Sequence, residues 1–163
     1  VIELIYNPAP LVTKLRSLSA RLADLTPVHQ DIGEQVQEWT KQRFVTGTAP
    51  DGTKWRPKQP ATIARYKAKG DGDKLRPLIG PSGRLGKEIL VDANREHAEI
   101  GSNLEYSGVM QDGAGRGAFG TDKAGHPLPW GDIPARVFIG LSDTEERTIL
   151  EIVDEHLADA VDE

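Results

Sequence analysis

Four histidines, His29, His97, His126 and His156, are the first residues to weigh as bases or ligands. None falls in H-E-x-x-H or another spacing that turns two imidazoles toward one metal. His156 lies on the apolar side of a C-terminal helical pattern, which suits a packed or snorkelling ring. His29 stands in the first turn of a helix near Asp31, a surface arrangement, and His126 is alone in a glycine-rich loop before Pro127. A general base needs a positioned partner, and the spacing offers none. With no cysteine in the chain, there is no disulfide, thiolate metal site or thiol nucleophile. Gly115-Arg116-Gly117-Ala118-Phe119-Gly120 spells G-x-G-x-x-G. Dinucleotide binding needs a strand before that run and a helix after it. Here a glycine loop precedes it and Lys123-Ala124-Gly125-His126-Pro127 follows. Gly80-Pro81-Ser82-Gly83-Arg84 is no nucleophile elbow, because Arg84 takes the place of the closing glycine. Carboxylates are plentiful, but nothing in their spacing singles out a catalytic pair. The residues assign no catalytic, cofactor or metal site. A hydrolase with unlocated carboxylates would need a concave pocket that perturbs them.

Charge is the stronger signal. The net charge of −5 conceals a gradient: residues 1–50 are neutral, 51–90 carry +6, and 91–163 carry −11. The segment 54–76 holds Lys54, Arg56, Lys58, Arg65, Lys67, Lys69, Lys74 and Arg76, with Trp55 and Tyr66 between them. Cations interleaved with aromatics suit a single-strand or duplex footprint, so a nucleic-acid-binding module is one reading. The overall acidic balance opposes it. A solvated loop, or a surface that meets the acidic end of a neighbouring copy, is the other reading.

Elements must position these residues. The chain has 163 residues, 37% of them apolar and 28% charged, which suits one domain over 1–163. No apolar run approaches the roughly 20 residues of a membrane span. Val1-Ile2-Glu3-Leu4-Ile5-Tyr6 reads as a short strand, without the basic start and long apolar stretch of a signal peptide. Leu11, Leu15, Leu18, Leu22 and Leu25 recur at helical steps and read as a core face. Thr26 suits an N-cap and Pro27 a first helical position, with Gly47 as the stop of a second helix. Residues 47–60 are a long loop with a Pro50-Asp51-Gly52 turn, and Trp55 is placed to plug an apolar site. A short basic helix over 61–69 and an irregular stretch over 70–83 lead to a helical turn at 85–89. A β-hairpin over 89–93 and 97–101 turns at Asn94-Arg95-Glu96, and a short helix falls at 103–111. Residues 112–131 contain six glycines and two prolines, a gap long enough to be a functional arm. A strand over 135–140 precedes a C-terminal helix opened by a Ser142–Glu145 capping box. That helix carries a stripe of Ile149, Ile152, Val153, His156, Leu157, Ala160 and Val161. The expected fold is α+β: a small antiparallel sheet (hairpin plus edge strands) packed against an N-terminal helix pair and a long C-terminal helix, with Gly/Pro-rich loops or arms.

Five segments in order add a resemblance. They are Phe44 with Pro50-Asp51-Gly52-Thr53-Lys54-Trp55, the helix from Thr62 to Lys67, and Ser82-Gly83-Arg84-Leu85. Gly101-Ser102-Asn103 with Tyr106, and Ile133-Pro134-Ala135-Arg136-Val137-Phe138-Ile139-Gly140-Leu141-Ser142, complete the set. Over roughly residues 10–158 the chain resembles the virion morphogenesis, or tail completion, family of Mu-like phages. Met110-Gln111-Asp112-Gly113 stands where that family often has a histidine-glutamine pair and an aromatic before glycine, which favours packing over chemistry at this place. Val137 replaces a frequent proline.

The resemblance implies a non-enzymatic structural protein of the virion neck or head-proximal tail end, a tail-completion or terminator component made in the host cytoplasm. It implies a hexameric or dodecameric ring around the DNA path, contacts with neck, connector or tail-tube proteins, and no cofactor, metal or membrane. The interface candidates are Pro50, Asp51, Gly52, Trp55, Arg56, Lys58, Arg65, Lys67, Gly101, Ser102, Asn103, Tyr106, Pro134, Ala135 and Arg136. In a ring the +6 and −11 segments are expected to meet, and the glycine-rich arm to order on assembly. Acids such as Glu151, Asp154 and Glu155 on the lumen would let DNA phosphates slide.

Overall fold

Proline placement, glycine stops and one cluster of aromatics decide where the chain turns and where it packs. The computed structural model describes residues 7–162, with side chains to residue 159; the strand expected over 1–6 lies outside the described residues. Helix α1, Ala9–Leu22, starts where the Asn7 side chain accepts the Ala9 N–H at 3.0 Å. Helix α2, Thr26–Thr46, follows after a three-residue turn. Thr26 is the first helical residue rather than the cap. Its N–H and hydroxyl both donate to the Asp24 carboxylate, at 3.1 and 2.6 Å. Gly47 ends α2 at φ 73°, and its N–H donates to the Arg43 carbonyl. That left-handed conformation carries little penalty only for glycine.

Helices α3 (Pro60–Ala68) and α4 (Arg84–Lys87) come next. Strands β1 (Leu90–Ala93) and β2 (Ala98–Gly101) then form an antiparallel hairpin in the register Leu90↔Gly101 to Ala93↔Ala98. The Asn94 carboxamide oxygen accepts the N–H groups of Glu96 and His97, which closes the expected bend. The hairpin lies on α2. Gly33 makes this approach feasible, since a Cβ there would sit 2.5 Å from Val91 Cγ1. Helix α5 (Ser107–Asp112) begins four residues later than expected, because the Ser102 and Ser107 hydroxyls close a turn first. Helix α6, Asp143–Asp162, opens with the Ser142–Glu145 capping box: Ser142 N–H donates to Glu145 at 2.8 Å, and Glu145 N–H to Ser142 Oγ at 3.3 Å.

The core gathers at the C-terminal end of α2. Phe44, Trp55, Leu85, Ile89, Leu104 and Phe138 are buried together, each side chain contributing about 1.5–3 kcal/mol of gross transfer free energy. Phe44 stands between Trp55 and Phe138, with ring centroids 5.5 and 5.4 Å away.

Three expectations are corrected. The α1 leucines are not a core face: α1 has no buried residue, and Leu11 and Leu15 are 51% and 57% exposed. Helix α6 packs on α1, but the stripe extends beyond what it covers. The described part of the α6 stripe is likewise half-buried, with Leu157 exposed. Periodicity marks an apolar face without saying which surface will cover it. Residues 135–140 are not a strand; side chains, rather than a neighbouring strand, take up their backbone groups.

Candidate functional site

Two loops carry most of the interface candidates, and the structure ties them together. Residues 50–58 and 133–142 run side by side at the end of α2, and three side chains hold 133–142 in place: Trp55 from the first loop, Gln111 from α5 and Arg43 from α2. Trp55 Nε1 donates to the Val137 carbonyl at 2.9 Å. Gln111 on α5 accepts the N–H groups of Phe138 and Ile139 at 2.9 and 3.2 Å, and donates to the Ile139 carbonyl at 2.7 Å. Arg43 Nη1 donates to the carbonyls of Phe138 and Gly140 at 3.0 and 2.9 Å. Its Nη2 meets both Glu145 oxygens at 2.6 Å. One guanidinium thereby joins α2, the extended segment and the first turn of α6. This arrangement satisfies the buried backbone groups that a strand partner would otherwise take.

Arg136 is the fourth link. It is buried, donating to the carbonyls of Arg56 at 2.9 Å, Pro57 at 3.2 Å and Pro134 at 3.4 Å. Burial holds its pKa below the usual arginine value. Lys58 also turns inward. Its ammonium donates to the carbonyls of Lys74, Arg76 and Ile79 at 2.5–2.6 Å, and lies 4.8 Å from the Tyr66 ring centroid. Desolvation, then the nearby Arg136 charge, lowers its pKa. Both cations hold loops through backbone carbonyls, which act as dipolar acceptors for a partly desolvated charge.

The remaining candidates divide by exposure. Pro50 and Pro134 are half-buried, Trp55 is buried, and Arg56, Arg65, Lys67 and Ala135 are exposed. Asp51 and Gly52 form the exposed tip of their turn. The Asp51 carboxylate accepts the Thr53 hydroxyl at 2.7 Å and its N–H at 2.9 Å, which lowers the Asp51 pKa. Gly101 and Ser102 are half-buried, whereas Asn103 and Tyr106 are exposed at the turn before α5. This second group does not join the clasp at 50–58 and 133–142.

Sequence reasoning missed Arg43 and did not foresee the clasp made by Gln111. Arg43 continues the buried positions Val36 and Thr40 at steps of four and three. A cation at such a position needs a buried partner. The Gln111 role has no comparable sequence signal, since an amide on a short helix is ordinarily solvated.

The glycine-rich segment is folded back on itself. Ala114 pairs with Ile133 and Thr121 with Pro127 as isolated bridges. Gly113, at φ 78°, lets this loop start against the next segment, where a Cβ would lie 2.6 Å from the Ile133 carbonyl oxygen. Phe119 and Trp130 stand out on the loop, Trp130 68% exposed.

Two grooves flank α6. One, of about 520 Å³, runs between α2 and α6 and is edged by Asp31, Glu34, Glu38, Glu155 and Asp159. The other, of about 430 Å³, is apolar, with walls from the end of α1, the start of α2 and α6. His156 lines both, its Nε2 2.7 Å from Asp31 Oδ2. Among the described residues, no group of three or more His, Asp or Glu side chains is placed to hold a metal ion, and no helix is long and apolar enough to cross a membrane.

Comparison with known families gives one match: the sequence profile of the phage virion morphogenesis family aligns with residues 7–158. No curated protein and no solved structure matches the chain.

Proposed function

The chain belongs to the phage virion morphogenesis family, and from that premise we propose that it is a non-enzymatic ring subunit of the neck or head-proximal tail end. In this reading it completes or terminates the tail and borders the path of the DNA. The observation that carries the proposal is the uncovered apolar face of α1 and α6. Leu11, Leu15 and Leu22 on α1 and Leu150 and Leu157 on α6 are all exposed, and apolar side chains left exposed on two packed helices favour contact with another protein chain.

Charge supports the same reading. The sequence carries +6 over residues 51–90 and −11 over residues 91–163, a charge contrast that suits head-to-tail contact between identical copies. Of the α6 acids, Glu155 and Asp159 edge the groove against α2, while Glu151 and Asp154 line neither groove. We assign the latter two to the DNA passage, where carboxylates repel phosphates and leave the duplex free to move. Direct duplex binding by 54–76 is weakened as an alternative. Lys58 spends its donors on three carbonyls, and Arg76 donates to the Val45 carbonyl at 2.9 Å.

Native mass spectrometry of the full chain, alone and with head and tail components, tests the assembly claim. A closed ring is expected under at least one of these conditions. A monomer under all of them contradicts it.

A further inference from the structure

From the shape and charge of two separate surfaces, we infer that Trp130 of one copy docks in the apolar α1–α2–α6 groove of the next copy. The inference rests on the ring reading above and names the contact that would build it.

The groove is lined by Leu22, Leu25, Val28, Ile32, Val153 and Leu157. At about 430 Å³ it lies within the size range that accepts compact organic groups. Its walls are mostly apolar, Arg21 and Asp24 add one charge of each sign, and the adjoining groove places Asp31, Glu34 and Glu155 along one side. It is therefore an apolar slot with a net acidic border.

The opposite arrangement occurs elsewhere on the molecule. Trp130 projects from the glycine-rich loop, its ring tilted against His126 with centroids 5.1 Å apart. The next residues, Gly131 and Asp132, share a cleft with Arg56, Lys58 and Ile63. Arg116 flanks the same place, its N–H donating to Asp132 at 2.8 Å. The side chains of Arg56 and Arg116 are exposed. Arg56 and Arg116, set against the single carboxylate of Asp132, give this aromatic knob a net basic border, and tryptophan is a residue type that dominates interface energetics when its ring fills a pocket.

These surfaces are at opposite ends of α2. The groove takes Val28 and Ile32 from its first turns, while the knob lies against the loop that follows Gly47. The 21 residues of α2 span about 30 Å. A knob and a slot on different faces make a heterologous contact, which leaves one of each free after every addition until a ring closes. Opposed borders select this pairing over groove-to-groove contact, which would bring acids together.

The test replaces Trp130 with the photo-cross-linker p-benzoyl-phenylalanine in the full chain, mixing isotopically light and heavy copies. Cross-links joining light to heavy chains at residues 22–32 or 153–157 are expected. Trp130→Ala and Leu22→Glu, both at exposed positions and each checked for folding by circular dichroism, should weaken self-association about tenfold or more, as loss of one anchor does. Mixed together, the two variants should form a pair that does not grow, because each supplies the surface the other lacks. Rings of the cross-linker-bearing chain that cross-link elsewhere, or rings formed equally well by both variants, overturn the docking and leave the ring reading intact. No oligomer from wild-type protein, alone or with head and tail components, overturns both.

Discussion

Arg43 does more for the fold than any residue its surface chemistry would single out. It neutralises Glu145 and caps two carbonyls of the extended segment. Arg43→Ala would strand a carboxylate of which 17% is exposed and leave two carbonyls unpartnered. A loss of about 3–5 kcal/mol is expected, read from urea unfolding. Arg43→Lys should recover only part, since an ammonium cannot reproduce the planar fork. Asp51 gives a pH prediction at the same scale. Its pKa is lowered in the folded protein by hydrogen bonds from Thr53, side chain first. The stabilisation is therefore present above the ordinary carboxylate value and is lost as pH falls through the lower, folded value. The protection of the Thr53 amide, measured against its intrinsic exchange rate, should fall in acid, below about pH 4, and Asp51→Asn should blunt that dependence.

At the element scale, α2 is the organising rod: one end meets the core, the middle meets the hairpin and the start meets α1 and α6. Gly33→Ala should push β1 outward, because the new methyl would overlap Val91. A destabilisation of about 1–3 kcal/mol is expected in thermal or urea unfolding, despite the better helix propensity of alanine. The α2 boundaries at Pro27 and Gly47, the hairpin and the capping box of α6 were legible in the sequence. Each rests on local chemistry: a missing N–H, a positive φ, a two-residue period, a reciprocal cap. The segment 135–140 was misread as a strand because Val137, Phe138 and Ile139 have strand-forming side chains. Its true partners, Arg43, Trp55 and Gln111, are 27 to 97 residues away. The candidate site was legible in part. Trp55 was foreseen as a buried plug, but the inward turn of Arg136 and Lys58 was not, because sequence charge does not reveal which carbonyls a loop will present.

For the whole molecule, the α1 leucines change meaning. Their spacing foretold an apolar face, and the fold half-buries Leu18 and Leu25 while leaving Leu11, Leu15 and Leu22 exposed, so the rest of the stripe becomes an argument about assembly. Electrostatics adds a prediction. Reversing Arg56, Arg65 and Lys67 together to glutamate should weaken assembly more than folding, since all three are exposed and exposed charges contribute little to stability. Sedimentation and urea unfolding on the same variant separate the two effects. The central claim is that this chain is a structural ring at the head–tail junction. Electron cryo-microscopy of mature particles tests it most directly. The account predicts a closed ring of this chain around the axis at the neck or head-proximal tail end, with the α1–α6 leucine face buried against a neighbour. Absence of the chain from mature particles and assembly intermediates, or a ring with that face open to solvent, would contradict it.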